Sequence, residues 1–198
     1  MKTLYPFFKF ILLVLYKLFL RFEVSGKGNI PEKGGVIIAS NHLSYLDPPL
    51  VGISIKRRAT YMAKSGLFGI PLIGKFVESF SFPVDRKNPK PSTIKDAVRR
   101  LKNGELIVMF PEGTRSPAGD STSGKRGVAI IAAMSKAVII PAHIEGTERA
   151  LPVGAKFIRP AKVRITFGKA LAIKPGESEK EFQVRITRDL LSIIKNLK

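Results

Sequence analysis

A histidine and an aspartate five positions apart, His42 and Asp47, stand in the run Asn41-His42-Leu43-Ser44-Tyr45-Leu46-Asp47-Pro48-Pro49. The apolar stretch 35–40 precedes it, so a histidine leaves a buried strand with a carboxylate within folding reach. An imidazole held through one ring nitrogen keeps the other free to take a proton, which makes His42 a candidate general base toward a substrate hydroxyl. Asp47 stands before Pro48, where an aspartate serves as helix N-cap ahead of a proline at the first helical position; one carboxylate can both cap and orient. Ser44 and Tyr45 are not nucleophile candidates, because no Gly-x-Ser-x-Gly elbow surrounds them.

Two more apolar runs end in groups suited to an anion. Phe110-Pro111-Glu112-Gly113-Thr114-Arg115-Ser116 follows the run LIVM. Gly113 permits close backbone approach, Arg115 offers a forked donor that suits phosphate, and Glu112 can align it. Phe82-Pro83-Val84-Asp85-Arg86 ends another run at an arginine. The plain alternative for both is a strand-end turn carrying a surface ion pair of small energetic value.

Such groups meet only if their strands lie side by side and point the same way. Strands are expected at 22–25, 35–40, 59–63, 80–84, 105–110, 137–144 and 161–167, several rich in β-branched residues and bounded by Gly or Pro. Helices are expected at about 48–55, 70–79, 91–103, 126–136 and 178–196. This alternation predicts a single α/β domain with a mostly parallel, mixed sheet flanked by helices. Ligands of such sheets bind beyond the carboxyl ends of the strands. A length of 198 residues suits one core.

Composition narrows the ligand. With 34 basic and 15 acidic side chains the chain carries +19, yet 44% of its residues are hydrophobic, which argues against a disordered basic tail and for a folded cationic body. Its partner is then nucleic acid, anionic lipid or a phosphorylated substrate. The absence of cysteine excludes disulfide frameworks, thiol nucleophiles and cysteine-based metal sites, and two histidines are too few for a histidine-built zinc site.

Residues 4–22 read as a helix of about bilayer length, but Lys9 and Lys17 interrupt it and Arg21 closes it. At 100° per residue Lys2, Lys9, Lys17 and Arg21 share an arc with Tyr5 and Tyr16. Leu4, Phe7, Ile11, Val14, Leu15, Leu18 and Phe22 form the opposite face, while Phe10, Leu13 and Leu20 blur the basic arc. That pattern suits a helix lying in the membrane interface. A tilted span with snorkelling lysines and a helix capping a soluble core are the alternatives. The expected organisation is a membrane-anchoring amphipathic helix over 1–22 and a catalytic domain over 23–198.

His42 with Asp47, Phe82 to Arg86, Phe110 to Ser116 and Ile139-Ile140-Pro141 resemble the four ordered blocks of the glycerolipid acyltransferases, over roughly residues 24–170. The bacterial 1-acylglycerol-3-phosphate branch is the most similar. The resemblance implies transfer of a fatty acyl group from acyl-CoA or acyl-ACP to the 2-hydroxyl of lysophosphatidic acid, with His42 as base and Asp47 orienting it. It implies that Arg86, Glu112, Gly113, Thr114 and Arg115 bind the acceptor phosphate, with Lys64 joining them. It also implies no cofactor or metal, anionic membrane lipids as partners, no nucleic acid, and a place on the cytoplasmic face of the cell membrane, monotopic or singly anchored. The segment from Ser65 to Phe82, with Phe68, Phe76 and Phe80, can line an acyl groove or simply pack as core.

The chain departs from this pattern after the third block, where glycine precedes Lys125 in place of an aromatic residue, so Lys125 is not counted as a ligand. His143 reads as a strand residue. Gly119 to Arg126 approximates a phosphate-binding P-loop, but its last position lacks the Ser or Thr that would hold magnesium. The alternatives in function are a sibling acyltransferase with another acceptor and a non-enzymatic protein binding membranes or nucleic acid.

Overall fold

In the computed structural model, residues 11–197 are described apart from 12, 15, 72, 85–90 and 113–121, and for 73, 76 and 122–124 the backbone alone. Seven strands form one sheet: β1 (Glu23–Ser25), β2 (Val36–Ser40), β3 (Ala59–Lys64), β4 (Ser81–Val84), β5 (Leu106–Met109), β6 (Val138–Glu145) and β7 (Arg164–Phe167). Their order across the sheet is β1-β7-β6-β2-β5-β3-β4. β6, β2, β5, β3 and β4 run parallel, and β7 turns back antiparallel to β6 with β1 parallel to it. The expected mixed, mostly parallel sheet is therefore present.

The helices are α1 (Asp47–Ser54), α2 (Ile73–Glu78), α3 (Pro91–Lys102), α4 (Thr122–Ser135), α5 (Thr147–Ala150) and α6 (Glu179–Lys195). Alternation along the central strands divides the core into two layers. Val36 and Ile38 of β2, Leu106 and Val108 of β5, and Ile140 and Ile144 of β6 pack with α1 and with Tyr16 and Leu20. Ile37, Ile107 and Ile139 pack instead with Val98 and Leu101 of α3, Val128 and Ile131 of α4, and Phe182, Ile186 and Leu190 of α6. The strands are apolar on both faces because both are covered.

One expectation is corrected here. Tyr16, placed on the basic arc by helical spacing, is 5% exposed and turns inward. Its hydroxyl donates to the Leu46 carbonyl at 3.2 Å and its ring meets Phe22 edge-on at 6.2 Å. Leu13 and Leu20 point the same way into this layer, which explains why they broke the basic arc. The outward side carries Ile11, Val14, Leu18 and Phe19. Of the two readings open for Phe82, groove or core, the core reading holds: it is buried in the opposite layer under the Arg100 guanidinium, 5.0 Å from its ring centre. Residues 1–10 lie outside the described part of the chain, and among the described residues no helix is long and apolar enough to cross a membrane.

Candidate active site

β2 and β5 are adjacent and parallel, so the segments leaving their carboxyl ends emerge side by side. From β2 come Asn41 and His42; from β5 come Phe110, Pro111 and Glu112. His42 is 7% exposed and Asp47 fully buried. His42 Nδ1 lies 2.9 Å from Asp47 Oδ2. A carboxylate oxygen only accepts, so Nδ1 carries the proton, and the neutral form of a ring held this way has its lone pair on Nε2.

The same Asp47 Oδ2 accepts from the backbone N–H of Leu43 at 2.6 Å and of Ser44 at 2.8 Å. These bonds pull the loop around the carboxylate. They also correct the expected capping: the residue before α1 is Leu46, without a side-chain cap, and Asp47 opens the helix with the prolines behind it. Its bonding is turned back toward the loop that carries the histidine, because that loop's N–H groups are otherwise without strand partners. Ser44 Oγ donates to the Leu151 carbonyl at 2.9 Å, tying the loop to the chain beyond α5.

Glu112 Oε2 accepts from the His42 backbone N–H at 3.4 Å. Burial pushes the Glu112 carboxyl above the usual carboxylate range, while the His42 N–H and ring pull the other way. Burial, and then the negative charge of Asp47, likewise push the Tyr16 hydroxyl up. The buried N-terminal segment thus touches the same loop: Tyr16 holds the carbonyl of the residue immediately before Asp47.

The structure therefore gathers His42, Asp47 and Glu112. Lys64 ends β3, next to β5 in the sheet, with its side chain exposed at the same carboxyl edge. β4 reaches that edge at Val84. Arg86, Gly113, Thr114 and Arg115 lie outside the described residues, as do Gly119, Asp120 and Ser121 of the P-loop-like stretch.

Two contributors were not legible beforehand. Phe110 stacks on the His42 ring, centroids 4.2 Å apart and planes at 23°. Asn41 exchanges two bonds with Ile144 of β6, Nδ2 to its carbonyl and its N–H to Oδ1, each 2.7 Å. Asparagine just past a strand is a weak signal, whose meaning depends on knowing that β6 lies beside β2.

A hollow of about 590 Å³ opens at the opposite edge of the sheet, by Arg57, Arg58, Thr60 and Glu105. Its arginines are engaged: Arg57 donates to the carbonyls of Pro31, Gly34 and Gly104, and Arg100 bonds Asp96 and Glu105. The carboxyl edge with His42 is where unassigned polar chemistry collects. Among the described residues no group of three or more His, Asp or Glu assembles that could hold a metal ion.

The chain is 36% identical over 151 residues to the 1-acyl-sn-glycerol-3-phosphate acyltransferase of Bacillus subtilis, covering 75% of this chain and 73% of that one. It is 29% identical over 183 residues to the protein of the same name from Borreliella burgdorferi, covering 90% and 72%. In three dimensions it is similar to the crystal structure of the 1-acyl-sn-glycerophosphate acyltransferase PlsC from Thermotoga maritima, with a TM-score of 0.72 at 28% identity, over 89% of this chain and 71% of that one. The Acyltransferase family model matches residues 21–145, a span that begins at the end of the N-terminal helical segment and closes with β6, so that β2, β5 and the His42–Asp47 pair all fall inside it. By fold, matched span and sequence, the chain belongs to the acyltransferase family.

Proposed function

We propose that the chain moves a fatty acyl group from an acyl-CoA or acyl-ACP thioester to the 2-hydroxyl of 1-acylglycerol-3-phosphate, giving phosphatidic acid and the free thiol. The observation that carries this reading is the His42–Asp47 pair, 2.9 Å apart and buried at the carboxyl edge of the sheet. His42 Nε2 takes the proton of the acceptor hydroxyl as its oxygen attacks the thioester carbonyl, and Asp47 holds the ring through Nδ1 and balances the charge it gains. Phe110 fixes the ring plane, and Glu112 braces the backbone of His42. Collapse of the tetrahedral intermediate expels the thiolate, which recovers the proton from His42.

Lys64, Arg86 and Arg115, with Glu112, Gly113 and Thr114, are proposed to hold the acceptor phosphate so that binding energy is converted into orientation of the hydroxyl. The relatives, which are named for acylating 1-acylglycerol-3-phosphate, support this acceptor. Residues 1–22 are proposed as the anchor and 23–198 as the catalytic domain, on the cytoplasmic face of the membrane, either monotopic or singly anchored. The apolar outward side of residues 11–20 supports an interfacial placement, with anionic lipids as partners. That division is one of role, since Tyr16 and Leu20 belong to the catalytic core.

Acceptor profiling of the purified chain tests the reading. Lysophosphatidate is expected to be acylated well ahead of lysophosphatidylcholine and glycerol-3-phosphate; preference for either of the latter would reassign it to a sibling acyltransferase.

A further inference from the structure

β6 delivers the chain to the carboxyl edge beside the His42 loop, and residues 151–163 then run from α5 to β7. This connection is pinned at several points. Arg159 N–H donates to the Ala150 carbonyl at 2.8 Å, closing the loop on itself. Val163 N–H donates to the Leu20 carbonyl at 2.9 Å, joining it to the N-terminal helical segment, and Ser44 joins it to the His42 loop. Gly146, at φ 89°, lets the entry to α5 lie against the Lys162 carbonyl, where an added Cβ would come within 2.1 Å.

A loop so firmly tied has the means to bury its apolar residues, yet it turns them outward. Phe157 is 81% exposed, Val153 67% and Ile158 54%. Lys156 and Arg159 flank them, exposed and with no carboxylate in ion-pair distance among the described residues. Tyr45, next to Ser44, and Phe19, next to Leu20, are also exposed; Ser44 and Leu20 are the residues bonded to Leu151 and Val163 at the two ends of this connection. Clustered exposed apolar groups mark an interaction surface. Exposed cations beside them, on a chain of +19, select an anionic partner that also accepts hydrocarbon.

We propose that residues 152–159 form a second membrane seat, placing Val153, Phe157 and Ile158 in the interfacial layer of an anionic bilayer and Lys156 and Arg159 among its head groups. The loop and the N-terminal segment then stand on the same bilayer, with the His42 loop tied to both. This rests on the reading that the acceptor is a membrane lipid, and it gives that lipid a short path to His42.

The chain contains no tryptophan, so Phe157→Trp in the full chain supplies a single reporter. With vesicles of phosphatidylglycerol and phosphatidylcholine, its emission is expected to shift to the blue and to be quenched by brominated acyl chains. Phe157→Ser with Ile158→Ser is expected to weaken vesicle sedimentation about tenfold or more while acyl transfer to detergent-dispersed lysophosphatidate stays within about twofold. Protein that sediments with vesicles while the indole emission stays unmoved overturns the proposal. So does a shift produced by acyl carrier protein alone and not by vesicles, which would assign this face to the donor's carrier. Failure of the unmodified chain to acylate dispersed lysophosphatidate would overturn the functional reading instead, and the vesicle emission would still decide the role of the loop.

Discussion

The two faces of the sheet are finished differently. On one, α3, α4 and α6 bury Val98, Ile131 and Phe182, and α6 is closed by the Ser178–Glu181 capping box and the Arg185–Glu177 ion pair. Its large exposed apolar residues, Met134 and Val184, are single, as on any soluble surface. On the other, α1 and the N-terminal segment bury Leu50, Tyr16 and Leu20 but send a second set of apolar side chains outward: Ile11, Val14, Leu18 and Phe19, joined by Tyr45, Val153, Phe157 and Ile158. The first face is complete in water, and the second still has apolar surface to cover. The His42 loop is tied to that second face through Tyr16 and Leu151. With His42 in its proposed role, stability and chemistry load different sides of one sheet, which substitutions can separate.

The largest separation is expected at Asp47. Asp47→Ala removes the partner of His42 and strands the N–H groups of Leu43 and Ser44. We expect kcat to fall by about 10²–10⁴-fold with a clear drop in Tm; near-normal kcat in folded protein would break the link between loop and chemistry. Phe182→Ala, on the opposite face and fully buried, should cost about 3–5 kcal/mol by chemical denaturation. The fraction still folded should keep its specific activity; a large loss of kcat at full foldedness would show that the faces are not separable.

Tyr16→Phe deletes only the hydroxyl on the Leu46 carbonyl and should cost about 1 kcal/mol, with a modest fall in kcat at unchanged KM. A rise in KM alone would place Tyr16 in lipid access instead of loop positioning. The smallest effect is expected from Glu177, whose carboxyl the Arg185 guanidinium holds down at about 2, against an ordinary value of 4.5. Since the folded value is the lower one, its stabilisation is complete above 4.5 and is lost as pH falls toward 2. Glu177→Gln should flatten that part of the acid-unfolding curve and leave neutral-pH activity unchanged.

The strands lay open in the sequence because apolar β-branched runs bounded by Gly and Pro mark buried strands at any position in a sheet. The His42–Asp47 pairing was legible because only six residues separate β2 from α1, which leaves few other places for the carboxylate. Tyr16 was misplaced because helical spacing groups residues by angle and not by what packs on them; the Leu46 carbonyl and Phe22 drew it inward. Phe110 was hidden for a related reason, since an aromatic ending a strand reads as core until His42 is known to lie in the neighbouring loop. α5 spans four residues, too few for any periodic signal.

The central claim is that His42 is the base for acyl transfer, and His42→Ala tests it most directly. Purified wild-type and variant chains are compared for phosphatidate formation from an acyl thioester and lysophosphatidate, with circular dichroism and Tm showing that both are folded. The account predicts a loss of at least about 10²-fold in kcat with the fold unchanged. A folded His42→Ala chain that keeps its rate within a few-fold of wild type would contradict it.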